Sequence, residues 1–150
     1  MAVGLSVLAL GAFYVSSTQA VRIVRVGKEN VYASQLLQER MEAFRAAPAW
    51  TDITTAAGIS TLVATPTSTA ANFPQVTESY TVSTYYPIPT APAPSPLRIS
   101  RAPNGTFTSA GATPIPSSAI KVTIQADWVG ANRVARSRQL SSIICKNGVK

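Results

Sequence analysis

A chain of 150 residues with 13 Lys and Arg against 6 Asp and Glu carries a formal net charge of +7, and it contains no histidine. An imidazole base or ligand is therefore excluded, and a single cysteine supplies neither a disulfide framework nor a zinc site. The length allows one small domain plus an anchoring segment. The charge is uneven: residues 1–75 hold five cations and four carboxylates (+1), residues 76–150 eight and two (+6). Such asymmetry can signal an anionic partner. Its ordinary meaning is a solvated surface, and specific nucleic-acid binding is not expected.

Residues 1–21, MAVGLSVLALGAFYVSSTQAV, carry no charge. An apolar run of roughly 18 residues can span hydrocarbon. Val3, Leu5, Val7, Leu8, Leu10, Phe13 and Val15 supply the apolar surface here, before Ser16, Ser17, Thr18 and Gln19 dilute it. Gly4 and Gly11 are poor in soluble helices but common in membrane ones. The stretch reads as the membrane-embedded or filament-core half of a helix. The competing readings are a buried core helix and a secretory signal cleaved after Thr18-Gln19-Ala20. A signal wants a basic start, whereas Met1 leads straight into the apolar run.

Residues 22–47 continue the same helix, since no proline precedes Pro48 and the residue before proline avoids the α region. Ile23, Val26, Asn30, Ala33, Leu37, Met41 and Phe44 recur at steps of three and four, so they share a face. Val24, Val31, Tyr32 and Leu36 are apolar but lie off that stripe. Either a second partner covers them, or they are the scattered apolar residues that any surface carries. Glu42 and Arg45 are spaced to pair at i,i+3.

Residues 48–75 are small, hydroxylated and low in charge, and read as a connecting loop with one helical turn near Asp52–Ala57. Trp50 either caps the bottom of the core or, if exposed, requires a partner. From residue 76 to 150 the pattern is antiparallel β. VTESYTVSTYY (76–86) is β-branched and aromatic, with Tyr80, Val82, Thr84 and Tyr86 on one face. The proline-spaced 87–96 is a semi-rigid linker of polyproline type, incompatible with a central strand. LRISR (97–101) alternates, Pro103-Asn104-Gly105 turns, and Thr106-Phe107-Thr108 returns. Asn104-Gly105-Thr106 also fits a glycosylation acceptor, but the hairpin turn is the stronger reading. In AIKVTIQADW (119–128), Ile120, Val122, Ile124, Ala126 and Trp128 face one way and Lys121, Thr123, Gln125 and Asp127 the other, giving a sheet with one buried face. After a turn at 129–132, residues 133–145 return. Arg133, Arg136 and Arg138 lie at the turn end, away from the helical stripe, and Ile143, Ile144 and Cys145 lie late.

No catalytic constellation emerges. Glu78 and Asp127 could meet across a sheet, but Asp127 falls on its strand's polar side, and the two read as a solvated pair rather than an acid/base dyad. The abundant Ser and Thr have no base to activate them, and no phosphate-binding glycine loop occurs. Cys145 reads as a small buried hydrophobe rather than a reactive thiolate. No cofactor or metal is expected.

The charge-free start flowing into ASQLLQERMEAFRAAP resembles the N-terminal helix of type IV pilin-like proteins, above all the minor pseudopilins of type II secretion and the pilus-modification minor pilins. Ala33, Leu36, Gln38, Arg40, Met41, Glu42, Phe44 and Arg45 match the pattern those helices carry at this place. The segment IKVTIQADWVGANRVARSRQLSSII is similar to their last hairpin. The family's basic leader, the Gly before its cut and the Glu at its fifth mature position have no counterpart before Glu29, so Met1 is expected to lie a few residues inside the mature helix. The family's C-terminal disulfide loop has no counterpart either.

Taken together, the expected architecture is α+β and pilin-like. A long N-terminal helix, membrane-embedded in its first half, packs its second half on an antiparallel sheet of about four strands. The helix–sheet contact is built from Leu37, Met41, Phe44, Ile120, Val122, Ile124 and Trp128. The resemblance implies a non-catalytic minor pilin or pseudopilin subunit of a type IV pilus or type II secretion filament. Its partners would be other pilin or pseudopilin subunits and the bacterial inner membrane, with the C-terminal domain periplasmic or extracellular. Arg22, Arg25 and Lys28 would by the positive-inside rule leave that side cytoplasmic, and the resemblance implies the reverse. The alternative is a membrane-tethered or secreted binding module whose basic β domain recruits an anionic ligand.

Overall fold

The computed structural model describes residues 2–65, 75–85, 95–110, 115–130 and 133–148, with side chains from Gly11 to Asn147. Tyr86 and most of the proline-rich linker (87–94) lie outside the described residues, as do the side chains of Val3, Leu5, Val7, Leu8 and Leu10.

Helix α1 (Ala2–Arg45) runs unbroken through Gly11 and Gly27. Its 44 residues span roughly 66 Å at 1.5 Å per residue. Two short helices follow, α2 (Trp50–Thr54) and α3 (Ala56–Leu62), where the composition suggested a loop with one turn. Local hydrogen bonds hold them. Asp52 Oδ2 accepts from the Ala49 N–H at 3.1 Å, and Thr55 Oγ1 caps α3 by accepting from the Gly58 N–H at 3.0 Å. A Cβ on Gly58 would sit 2.5 Å from Asp52 Cα, so the α2–α3 corner closes only around glycine.

Five strands follow rather than four: β1 (Thr77–Thr84), β2 (Leu97–Arg101), β3 (Phe107–Ala110), β4 (Ala119–Val129) and β5 (Ala135–Cys145). The return read at Thr106-Phe107-Thr108 is a full strand, β3. The return after Asn104-Gly105 continues along β2 in register from Arg101↔Phe107 to Arg98↔Ala110. Gly105 takes φ +84°, and Asn104 Oδ1 accepts from the Thr106 N–H at 3.0 Å. The sheet order is β3-β2-β1-β4-β5, every neighbour antiparallel.

One face of the sheet is covered. Alternation places Val76, Tyr80 and Val82, then Leu97 and Ile99, then Ile120, Val122, Ile124, Ala126 and Trp128, on the inner side. Helix α1 lies over β4 and β5, and α3 lies over β2. Leu37, Met41, Phe44, Ile120, Val122, Ile124 and Trp128 all belong to the buried cluster, joined by Ile53, Ile59 and Val63 from α2, α3 and the residue after α3. Trp50 packs partly buried against the same cluster. The Phe44 and Tyr80 rings stack with centroids 5.8 Å apart.

The helical stripe differs from its sequence reading at both ends. Leu36 is buried, whereas Ile23 is exposed. The packed face is a broad one over Ala33, Leu36, Leu37, Arg40, Met41 and Phe44, and upstream of it Val26, Glu29 and Asn30 are only half-buried. Arg45 donates to Ser142 Oγ at 3.0 Å rather than pairing with Glu42. Cys145 is exposed, not buried. Strand alternation explains it: Ile144 takes the inward position, so its neighbour must point out.

Candidate functional site

Two regions carry unusual chemistry. The first is the contact between α1 and β1. Glu78 is not solvated; it is only 1% exposed and gathers every strong donor nearby. Arg40 Nε donates to Glu78 Oε2 at 2.7 Å and Arg40 Nη2 to Oε1 at 3.2 Å, while Arg101 Nη1 donates to Oε1 at 2.9 Å. The Tyr80 hydroxyl donates to Oε2. Arg40 Nη1 also donates to the Thr65 carbonyl at 3.0 Å, tying the end of the α3 segment to the same node. The carboxylate thus faces two guanidinium groups and a phenol inside the core, the arrangement in which a buried charge is tolerated.

Protonation follows from that setting. Burial works against the Arg40 charge, but its hydrogen bond to Glu78 and the surrounding negative groups raise its pKa above the ordinary value. Burial, reinforced by the Glu78 charge, holds the Tyr80 phenol well above its ordinary value, with Arg40 and Arg101 pulling the other way. Tyr80 is therefore a neutral donor at physiological pH. The cluster is buried and joins α1, β1, β2 and the end of the α3 segment, so it fixes how α1 seats on the sheet, while Arg101 Nε within it has no hydrogen-bond partner among the described residues. Period-two alternation back from Val82 and Tyr80 puts Glu78 on the inner face, a signal present in the sequence. Arg40 was legible only as part of the helical pattern.

The second region is the part of α1 that extends beyond the sheet. Among the described residues, Phe13 (75% exposed), Tyr14, Val15, Val21, Ile23 (72%), Val24 and Val31 stand in solvent. They lie at neighbouring positions all around the helix rather than on one stripe. Thr18 Oγ1 donates back to the Val15 carbonyl at 2.8 Å, so this hydroxyl is satisfied within the helix. Among the described residues no helix is long and apolar enough to cross a membrane. From Gly11 onward the apolar positions are interrupted by Ser16 to Gln19 and then by Arg22 and Arg25.

At the other edge of the interface, the β5 arginines do not stand apart from the helix. Arg138 Nη1 donates to Ser34 Oγ at 2.8 Å, and the Trp128 indole N–H reaches Glu29 Oε2 at 3.4 Å. Arg138 lies opposite Ala126 and Arg136 opposite Trp128, so both take the face on which α1 packs. Asp127 is on the outer face, where Gln125 Nε2 donates to its carboxylate at 2.8 Å. A shallow cleft at this end of β4 and β5 is lined by residues of both faces, among them Thr77, Asp127, Trp128, Arg136 and Ser137. Among the described residues no group of three or more His, Cys, Asp and Glu side chains gathers to hold a metal ion. No protein-family description, curated protein or solved structure matches the chain.

Proposed function

We propose that the chain is a non-catalytic subunit of a pilin-like filament, a minor pilin or pseudopilin of a type IV pilus or type II secretion system, which assembles through α1. In this reading the first half of the helix is held in the bacterial inner membrane before assembly, and the sheet domain stays on the periplasmic or extracellular side. The observation that supports it is the mismatch between helix and sheet. Burial on the sheet begins near Ala33, while large apolar side chains from Phe13 to Val31 remain exposed around the whole helix. A single docking partner would cover one stripe; all-round apolar exposure fits a helix surrounded by several neighbours or by lipid.

A photo-crosslinking residue placed singly at Phe13, Ile23 or Lys121 in the full chain, expressed with its native cellular partners, tests this. Adducts with other helical subunits are expected from Phe13 and Ile23 and not from Lys121, which is exposed on the far face of the sheet. Adducts from Lys121 alone would overturn the helix as the assembly element.

A further inference from the structure

We propose that the outer edge of β5 is a docking site for an extended acidic peptide strand from a partner protein, which adds as a sixth strand. This does not rest on the filament reading.

The edge is defined by two backbone hydrogen bonds. The Gly130 N–H donates to the Val134 carbonyl at 2.9 Å, and the Lys146 N–H donates to the Ser118 carbonyl at 2.8 Å. Both pairs continue the single register that runs without interruption from Val129↔Ala135 to Ala119↔Cys145. Antiparallel ladders alternate between residues that exchange bonds with their partner and residues that do not. Even-numbered residues of β5 therefore bond to β4. The N–H and C=O groups of Ala135, Ser137, Gln139, Ser141, Ile143 and Cys145 point away from the sheet. Among the described residues nothing pairs with them. This is an edge of 11 residues with no bulge or proline; the opposite edge, β3, has only four. Long regular edges are templates for strand addition.

Charge selects the occupant. Arg136 and Arg138 project on the inner side of β5, and Arg45 reaches the same strand at Ser142. Arg136 Nε is buried without a partner among the described residues. The nearby carboxylates are already engaged, Asp127 by Gln125 on the outer face and Glu29 by the Trp128 indole. Side chains of an added strand stand about 4.5–5.5 Å from those of β5, so carboxylates on its inner face would meet both arginines. A second copy of this chain, at +7, would bring cations to cations.

The test uses the full chain in detergent and a nine-residue synthetic peptide alternating Glu with Val and Thr, a Lys-for-Glu counterpart, and an N-methylated acidic counterpart unable to pair. Only the first should bind, and it should slow amide hydrogen exchange at Ser137, Gln139, Ser141 and Ile143 while leaving even-numbered amides of β5 unchanged. Ser141→Pro removes one outward N–H and no ladder bond, and it should abolish binding. Arg136→Gln with Arg138→Gln should weaken binding about threefold to tenfold and flatten its salt dependence. The exchange pattern decides even if a variant misfolds. Equal binding of the Lys peptide, or acidic-peptide binding without protection of the odd-numbered amides, overturns the proposal. So does protection of those amides without peptide, accompanied by dimerisation.

Discussion

The Arg40 guanidinium grips the Glu78 carboxylate through two nitrogens, Nε at 2.7 Å and Nη2 at 3.2 Å, between residues 38 apart in sequence and at the heart of the helix–sheet contact. Glu78→Ala strands two buried guanidinium groups and leaves the Tyr80 hydroxyl without its acceptor. Removing one member of a buried ion group costs about 3–5 kcal/mol, whereas replacing the whole group by apolar residues is often neutral or stabilising. Urea denaturation should therefore show a large loss for Glu78→Ala and recovery for the triple variant Arg40→Met, Glu78→Leu, Arg101→Met. A loss under about 1 kcal/mol for Glu78→Ala would mean the group sets no constraint on the fold.

Tyr80 gives the same cluster a pH signature. Its folded pKa lies well above the ordinary value, while the unfolded phenol titrates near pH 10. Above about pH 10 the unfolded chain has lost this proton and the folded chain retains it, so stability falls as pH rises. Below that point the contribution is fully present and flat. Tyr80→Phe should reduce the alkaline slope; an unchanged slope would place its cause elsewhere.

The faces of β4 predict opposite sensitivities. Ile124 is buried beneath α1 and Lys121 is exposed on the outer side. Ile124→Ala should cost about 2–5 kcal/mol and Lys121→Ala less than about 0.5 kcal/mol. Equal effects in chemical denaturation would reverse the assignment of faces.

Gly58 is constrained from outside its own helix. An added methyl group would meet Asp52 Cα, Thr51 O and Asp52 O, all backbone atoms and all closer than 3.0 Å. The corner cannot yield as a flexible side chain would, so Gly58→Ala should destabilise by about 1–3 kcal/mol, despite alanine's better helix propensity. A thermal midpoint at or above that of the parent would show that α2 and α3 can separate without consequence.

What sequence made visible, and what it hid, follow from range. Alternation over AIKVTIQADW and the Asn104-Gly105 turn are local signals, and they specify the faces of β4 and the β2–β3 hairpin directly. The Glu78 cluster depends on residues from α1, β1 and β2 meeting in space, and each looks ordinary alone. Glu78 reads as solvated by its charge alone, whereas its place on the Tyr80–Val82 face puts it inside. Similarly, α2 and α3 rest on short-range capping by Asp52 and Thr55 in a composition that otherwise suggests loop. The apolar neighbours of Cys145 suggest burial, but strand parity turns it outward beside the inward Ile144.

The functional proposal separates helix from sheet. Phe13 and Val15 are exposed on the projecting part of α1, and a charge near the centre of a membrane-inserted helix costs roughly 2.5–3.5 kcal/mol. Phe13→Asp with Val15→Asp should therefore abolish both membrane retention and recovery of the subunits that crosslink from Ile23. Arg133, Arg136 and Arg138 changed together to Gln should leave those two measurements largely intact: the Arg138–Ser34 hydrogen bond to α1 is lost, and an exposed hydrogen bond contributes only about 0.5–1.5 kcal/mol. A binding module working through its basic sheet predicts the reverse, with partner recovery surviving the aspartates and failing with the arginines. Fractionation of each variant followed by co-purification distinguishes the two. Full partner recovery by the aspartate variant, with loss in the arginine variant, would transfer the function from α1 to the sheet.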